Sequence, residues 1–526
     1  MTEAWWREAV IYQIYPRSFQ DTNGDGVGDL TGVIQRLEYL EWLGVDALWL
    51  SPIYPSPMAD YGYDVSDYCD VDPVFGDLKT LKALVAEAHE KGMKVILDYV
   101  PNHTSDRHPW FRDSRSSRAA AKRDWYVWRD PAADGGPPNN WISHFGGPAW
   151  TFDPATGQHY YHAFLPEQPD LNWRNPDVQR EMLDGLGFWL DLGIDGFRVD
   201  ALSALFEDER LRDNPPNPAW TPTMPPSKRQ SPLHTSDLPE VHEAVGAMRA
   251  TLEAYPDRVL IGELYLPIEQ LVLYYGREGK GAHLPFNFHL ISTAWTAAAI
   301  AALVKAYEAA LPPGAWPNWV LGNHDQKRIA ARLGPEQARI AAMLLLTLRG
   351  TPTIYSGDEI GIPSVAIPPE AVCDPVERME PGFGRDPART PMAWDSSPCA
   401  GFSKTKPWLP LHADWPTRNV SAMSADERSI LTLHRRLIEL RRQRAVLRLG
   451  GYGEMRADGD CFVFERRLAD ERLAIVLNFG DKAVASRLIP IGAPVLLSST
   501  LDRERRVADG SLRPNEGVVL EVASRP

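Results

Sequence analysis

The 526-residue chain has only four cysteines, Cys69, Cys373, Cys399 and Cys461, scattered and without a CxxC pair. That excludes a disulfide framework and suits free thiols in a reducing compartment. No uninterrupted apolar run reaches the length that spans a bilayer. The start, Met1 to Glu8, is charged and has no basic segment followed by an apolar one, so no signal peptide is read there. A cytoplasmic protein without membrane attachment is the expectation. Positive charge is also short, with 55 Lys+Arg against 70 Asp+Glu and a net charge of −15. Nucleic acid and anionic membranes are therefore not expected partners. There is no HxH or HExxH spacing to seed a catalytic metal centre. Internal repeats of 20–50 residues and low-complexity tails are absent too.

What is present is an ordinary enzyme composition, 44% hydrophobic and 24% charged, with 18 Trp and 18 Tyr. Flat amphipathic rings in that number suit stacking on sugars and are equally at home in a core. Short apolar runs alternate with amphipathic ones. The strand-like runs are Val10–Ile14, Ala47–Leu50, Val95–Val100, Gly193–Ala201, Val259–Gly262, Leu284–Asn287, Trp319–Gly322 and Thr353–Tyr355. Between them, Val33–Leu43, Leu78–Lys91, Val178–Leu192, Val241–Ala254, Ile291–Ala309 and Gln337–Leu348 read as helices, and Asp426–Arg442 closes the series. Eight such units predict an α/β fold, a (β/α)₈ TIM barrel. The alternation stops in a Trp-, Pro- and Gly-rich stretch after the third strand, which reads as an inserted subdomain. From about Val446 short alternating runs read as an all-β C-terminal domain. The expected division is barrel over 1–103, subdomain over 104–174, barrel again over 175–445 and a C-terminal β-sandwich over 446–526.

The chemistry begins at Gly193-Ile194-Asp195-Gly196-Phe197-Arg198-Val199-Asp200-Ala201. Strand alternation points Arg198 and Asp200 to the same side, where the arginine is expected to lower the carboxyl pKa. An ionised carboxylate at the C-terminal end of a barrel strand suits nucleophilic attack. A buried pair that merely closes a strand is the plain alternative. Two further acids, Glu263 and Asp325, end strands of the same type, with His103 and His324 at comparable positions. Glycosidic cleavage with retention needs a nucleophilic carboxylate and a carboxylic acid about 5 Å apart. Asp200 suits the first role. Glu263, after an apolar approach that raises its pKa, suits the second. The sequence does not give their separation.

A second motif is the loop Asp21-Thr22-Asn23-Gly24-Asp25-Gly26-Val27-Gly28-Asp29. Side-chain oxygens at Asp21, Asn23, Asp25 and Asp29, with the Val27 carbonyl, match the spacing of a hard-cation loop. Gly32 stands where an EF-hand has its glutamate. A structural Ca²⁺ or Mg²⁺ is expected, against a plain turn held by side-chain hydrogen bonds. No organic cofactor is expected.

Asp98-Tyr99-Val100-Pro101-Asn102-His103, Gly196-Phe197-Arg198-Val199-Asp200, Gly262-Glu263 and Asn323-His324-Asp325 resemble, in matching order, the four signature regions of the α-amylase superfamily, glycoside hydrolase family 13. Ala9–Phe19 and Gln168-Pro169-Asp170-Leu171-Asn172 resemble its α-glucosidase and oligo-1,6-glucosidase branch. The resemblance implies that Asp200 is the nucleophile, Glu263 the acid/base and Asp325 the transition-state stabiliser. It implies that Asp60, Tyr63, His103, Phe164, Arg198, His324 and Arg389 line the subsite for the terminal glucose, and it agrees with a metal in the Asp21–Asp29 loop. Ala393 replaces the Gln that relatives commonly carry before Trp394. Ala201, directly after the nucleophile, is expected to touch the leaving group and to go with α-1,4 action. The polar loop Glu207–Leu238 is expected to crowd that side.

The expected activity is exo-hydrolysis of maltose, sucrose and short α-glucosides, with transglucosylation open, by a monomer or homodimer. An oligo-1,6-glucosidase and a sucrose isomerase are the rival enzymes. A non-catalytic transporter partner is remote, because all three acids are present.

Overall fold

Short apolar runs without polar alternation suit strands covered on both faces. Eight of them form one parallel sheet in the computed structural model, which describes residues 4–523. Residues 1–3 of the charged start lie outside that range. The strands are β1 (Ile11–Ile14), β2 (Ala47–Leu50), β3 (Lys94–Tyr99), β4 (Gly196–Val199), β5 (Val259–Gly262), β6 (Leu284–Pro285), β7 (Asn318–Val320) and β8 (Thr351–Tyr355). Their order is β7-β8-β1-β2-β3-β4-β5-β6, and one parallel bridge between Asn287 and Trp319 brings the ring nearly to closure. The expected barrel is present.

Helix Pro176–Asp191 shows how the outer layer is specified. Asn175 caps it by accepting from the Asp177 N–H, and Pro176 presets its first turn. Val178, Met182, Leu186, Trp189 and Leu190 form its buried stripe. Truncating one of them, such as Leu186→Ala, costs about 2–5 kcal/mol. The chain leaves the helix through Gly193 at φ +97° and enters β4 at Gly196. A Cβ on Gly196 would lie 2.3 Å from the Val259 carbonyl oxygen, so glycine lets β4 and β5 approach.

Several boundaries differ from the sequence reading. The expected helix Val33–Leu43 is two, Leu30–Gln35 and Leu37–Leu43, broken at Arg36 (φ −104°, ψ 5°). The expected Ile291–Ala309 helix begins at Ala297, where Thr296 accepts from the Ala299 N–H. The last barrel helix starts at Ile430 rather than Asp426, because Ser429 is its cap. Side-chain oxygens fixed these starts, and apolar periodicity alone does not see them.

Between β3 and β4, strands Trp128–Arg129, Trp150–Asp153 and Gln158–Tyr161 form a small antiparallel sheet. The C-terminal region holds a five-stranded antiparallel sheet built from Gly451–Asp458, Cys461–Leu468, Glu471–Asn478, Gly517–Glu521 and Val495–Ser498. Buried Arg466 joins it to the barrel by donating to the carbonyls of Thr347 and Gly450, each at 2.6 Å. Among the described residues, no helix is long and apolar enough to cross a membrane, and all four cysteines are unpaired.

Candidate active site

The ends of neighbouring strands bring the two leading acids together. The Asp200 N–H donates to the Tyr99 carbonyl (2.8 Å), and the Glu263 N–H donates to the Val199 carbonyl (3.0 Å). Each acid is thus fixed one step past its own strand. Asp98 of β3 stands in register with Arg198 of β4. Arg198, fully buried, donates Nη1 to Asp98 Oδ1 and to Asp200 Oδ1, both at 2.7 Å. Its Nη2 lies 2.6 Å from Glu263 Oε1, an ion pair whose angle is off the hydrogen-bond line. The second Glu263 oxygen accepts from the Ala201 N–H at 3.0 Å.

One guanidinium therefore faces three buried carboxylates. Burial pushes Glu263 up to about 8, with Arg198 pulling down and the charges of Asp200 and Asp325 adding to the rise. Burial also pushes Asp200 up to about 7 against Arg198. The expectation that Arg198 sets a low pKa for Asp200 is corrected here: the arginine is shared, and desolvation wins. Both carboxyls are held above the ordinary carboxylate range, Glu263 the higher of the two, which suits Glu263 to the acid role and Asp200 to the base role.

Asp325 is different. Burial opposes its ionisation, but His324, Arg389 and Arg385 outweigh burial and hold it well below the usual carboxylate range. Burial pushes His324 itself down to about 3, so it is neutral and the two arginines supply the charge. Arg389 Nη2 donates to Asp325 Oδ1 at 2.7 Å, and Arg385 Nη1 is 3.5 Å from the same oxygen. His324 stacks between Tyr15 and Tyr63, with ring centroids at 5.5 and 5.4 Å. With the Gln13 amide donating to Nδ1 (2.9 Å), Nε2 carries the proton toward Tyr63 Oη (2.7 Å). Tyr63 Oη in turn donates to Asp98 Oδ2 at 3.0 Å.

A cavity of about 410 Å³ opens over these groups. Of the residues named from the sequence, Asp60, Tyr63, His103, Phe164, Asp200, Ala201, Glu263 and Asp325 line it. Arg198, His324 and Arg389 are fully buried and stand one layer behind, holding the acids rather than facing the space. His103 Nε2 lies 3.0 Å from Gln168 Nε2, and burial pushes this histidine down to about 4. Phe164 packs on His103 with ring centroids 5.1 Å apart.

The sequence reading missed Arg385. It closes one end of the cavity, with Nη2 at 2.5 Å from Asp60 Oδ1 and 2.8 Å from Asp374 Oδ1. It stands four residues before Arg389 in one motif, and nothing in the spacing says which of the two faces the cavity. Gln168, which donates to Asp60 Oδ2 at 3.3 Å, also lay inside a quoted motif. Lys228, Pro232 and Ser236 of the Glu207–Leu238 loop line the cavity too, and so does Tyr265, which the sequence reading did not name.

The Asp21–Asp29 loop lies apart from the cavity lining. Asp21 accepts from the N–H groups of Gly24 (2.7 Å) and Gly26 (2.9 Å), and Asp25 accepts from the Val27 N–H (2.8 Å). Asp29 caps helix Leu30–Gln35 through the Gly32 N–H (2.8 Å). Asp21 Oδ2 also accepts from Ser403 Oγ (2.5 Å), and Asp25 Oδ2 from the Asn23 amide (3.0 Å), so the loop is held by its own hydrogen bonds, although its donor set is oxygen only, as a hard cation requires. No three His, Cys, Asp or Glu side chains among the described residues converge on one metal point, so a cation here would draw on Asn23 and the Val27 carbonyl as well.

A parallel barrel with Asp200 and Glu263 one residue past their strands and Asp325 in the loop after a third is the arrangement a glycoside hydrolase uses. Residues 13–450 match the family model described as "Alpha amylase, catalytic domain", and the chain belongs to that family. It is 41% identical over 522 residues to a probable alpha-glucosidase of Rhizobium meliloti (strain 1021), covering 95% of each chain. It is 36% identical over 567 residues to an oligo-1,6-glucosidase of Parageobacillus thermoglucosidasius, covering 99% of this chain and 100% of the other. Among solved structures, the alpha-glucosyl transfer enzyme XgtA superposes with a TM-score of 0.93 at 39% identity, covering 99% of this chain and 100% of that one.

Proposed function

We propose that the protein is a retaining, exo-acting α-glucosidase that removes terminal α-1,4-linked glucose from maltose, sucrose and short α-glucosides. We propose also that it passes part of that glucose to sugar acceptors. One observation carries the reading: Asp200 and Glu263 sit on two nitrogens of one guanidinium, at 2.7 and 2.6 Å. That spacing favours the close pair of a double displacement (about 5–5.5 Å) over the about 6.5–9.5 Å that an inverting water needs.

Asp200 attacks the anomeric carbon while Glu263 gives its proton to the departing glycosidic oxygen. The positive charge that develops on the sugar ring meets Asp325, already ionised. Glu263, now a carboxylate, then takes a proton from water or from a sugar hydroxyl, and the second attack restores the α-anomer. The closed end, where Arg385 joins Asp60 and Asp374, supports exo-action on a terminal glucose. Ala201, Ala204 and Pro232 at the other end leave room for a short leaving group.

The test is product analysis by NMR with maltose, isomaltose, sucrose and soluble starch. α-Glucose as the first product, with maltose preferred over isomaltose and starch poor, is expected. β-Glucose refutes the mechanism, preference for isomaltose makes this an oligo-1,6-glucosidase, and conversion of sucrose to an isomer makes it a sucrose isomerase.

We further propose that the Asp21–Asp29 loop holds a structural Ca²⁺ or Mg²⁺ through Asp21, Asn23, Asp25, Asp29 and the Val27 carbonyl, remote from the chemistry. The unpaired cysteines support a reducing, cytoplasmic setting.

A further inference from the structure

Three separate insertions meet beside the cavity, and they meet on one buried carboxylate. Glu380 is 3% exposed and follows the short helix Pro375–Met379 in the loop between β8 and the last barrel helix. It accepts from the Ser227 N–H at 2.6 Å and from Ser227 Oγ at 2.9 Å. Ser227 belongs to the Glu207–Leu238 loop, and the next residue, Lys228, lines the cavity. The third insertion is the subdomain, whose Gly146 takes φ +92°. A Cβ there would lie 2.9 Å from Glu380 Cγ and 3.0 Å from Oε1, so the turn is pressed against the carboxylate. His144 and Phe145, just before that glycine, line the cavity as well.

The same short helix is tied down at its other end. Asp374 caps it through the Val376 N–H and also binds Arg385, which holds Asp60 at the closed sugar end. One helix of five residues thus runs from the wall of the glucose pocket to the roof of the leaving-group side.

We propose that Glu380 is a positioning residue that sets substrate length and acceptor capture, by fixing the Ser227–Lys228 turn against the subdomain as a roof. The proposal rests on the α-glucosidase reading. With the roof held, only short leaving groups fit, and a sugar acceptor is retained long enough to compete with water. With the roof released, longer chains enter and acceptors escape.

The experiment compares wild type, Glu380→Gln, Glu380→Ala and Ser227→Ala on maltose, maltotetraose and 4-nitrophenyl α-glucoside, with glucose and transfer products counted separately. Glucose release from maltose by the wild type tests the α-glucosidase reading by itself. For Glu380→Ala, the maltotetraose-to-maltose ratio of kcat/KM is expected to rise several-fold, chiefly through KM for maltose, and the transfer fraction to fall. Ser227→Ala should move both in the same direction by less, and it serves if Glu380→Ala does not fold. Glu380→Gln keeps an acceptor oxygen for Ser227 and should restore most of the wild-type ratio. Equal loss on all three substrates with an unchanged transfer fraction, or no change at all, overturns the proposal.

Discussion

The two ends of the cavity are built in different ways. The glucose end is a lattice of charges: Asp325, Arg389, Arg385, Asp60 and Asp374 are linked at 2.5 to 3.5 Å, backed by the His324–Tyr63–Asp98 chain. The leaving-group end is mostly small or apolar, with Ala201, Ala204, Pro232 and Leu266, and loops supply much of it. A lattice fixes one sugar in one pose, because each change leaves a buried charge unpaired. A loosely lined end can take several partners, and there specificity rests on shape, worth about 1–3 kcal/mol per group.

Substitutions can test whether the ends are independent. Asp200→Asn removes the proposed nucleophile, and kcat is expected to fall on the order of 10⁴-fold or more on every substrate. Glu263→Gln should lose maltose activity but still form a glucosyl-enzyme from 4-nitrophenyl α-glucoside, whose leaving group needs little protonation; intact-mass spectrometry would show the adduct. Arg385→Lys keeps the charge and loses the fork at Asp60 and Asp374. It should lower kcat/KM for maltose and 4-nitrophenyl α-glucoside by the same factor, about 10–100-fold, the worth of a charged hydrogen bond. A loss confined to maltose would mean that the two ends are not separate.

The pH dependence comes from Asp200 and Glu263, which lie between the two ends. kcat/KM should fall about tenfold per pH unit below about 7, as Asp200 takes a proton, and above about 8, as Glu263 loses its own. Both folded values lie above the ordinary 3.8 and 4.5. The stability these groups contribute is complete in acid and is lost as pH rises through about 8. The drop in melting temperature between pH 5 and pH 9 should therefore be smaller in Glu263→Gln than in wild type.

Ala201→Val probes the other end. The maltose-to-isomaltose ratio of kcat/KM is expected to fall roughly tenfold, through steric exclusion of one leaving-group orientation. Ala201 has φ +47° and ψ +33°, which a β-branched side chain tolerates poorly, so the variant should also be less stable by about 1–3 kcal/mol. An unchanged ratio would place linkage choice elsewhere. The smallest kinetic effect should come from chelation: a lower melting temperature with kcat unchanged at 25 °C. An unchanged melting temperature, with no metal by elemental analysis, would leave the Asp21–Asp29 loop a plain turn.

The positions of Asp200 and Glu263 were legible because strands place them. Asp200 and Glu263 are each one residue past a strand, and their amides bond the neighbouring strand, so a short motif carries the position. Proton distribution was not legible, because it depends on Asp98, Asp200 and Glu263 sharing Arg198 across strands far apart in sequence. Nor was the choice between Arg385 and Arg389, which reach the same Asp325 oxygen, Arg385 from the cavity lining and Arg389 from the buried layer behind it. The leaving-group end was legible only as a crowded loop: Ser227 and Glu380 meet across 153 residues, and no periodicity spans that distance. The broken helix at Arg36 failed for a local reason, since its apolar spacing continues through the break.

The three carboxylates on Arg198 also have a pharmacological consequence. Asp60, Asp200, Glu263 and Asp325 face the cavity, and Arg385 is the cation at their closed end. A neutral sugar leaves that deficit of positive charge uncorrected until the reaction supplies it. A glucose-shaped molecule with a ring ammonium supplies it from the start, so it should outcompete its neutral isostere, and its advantage should shrink in Asp325→Asn.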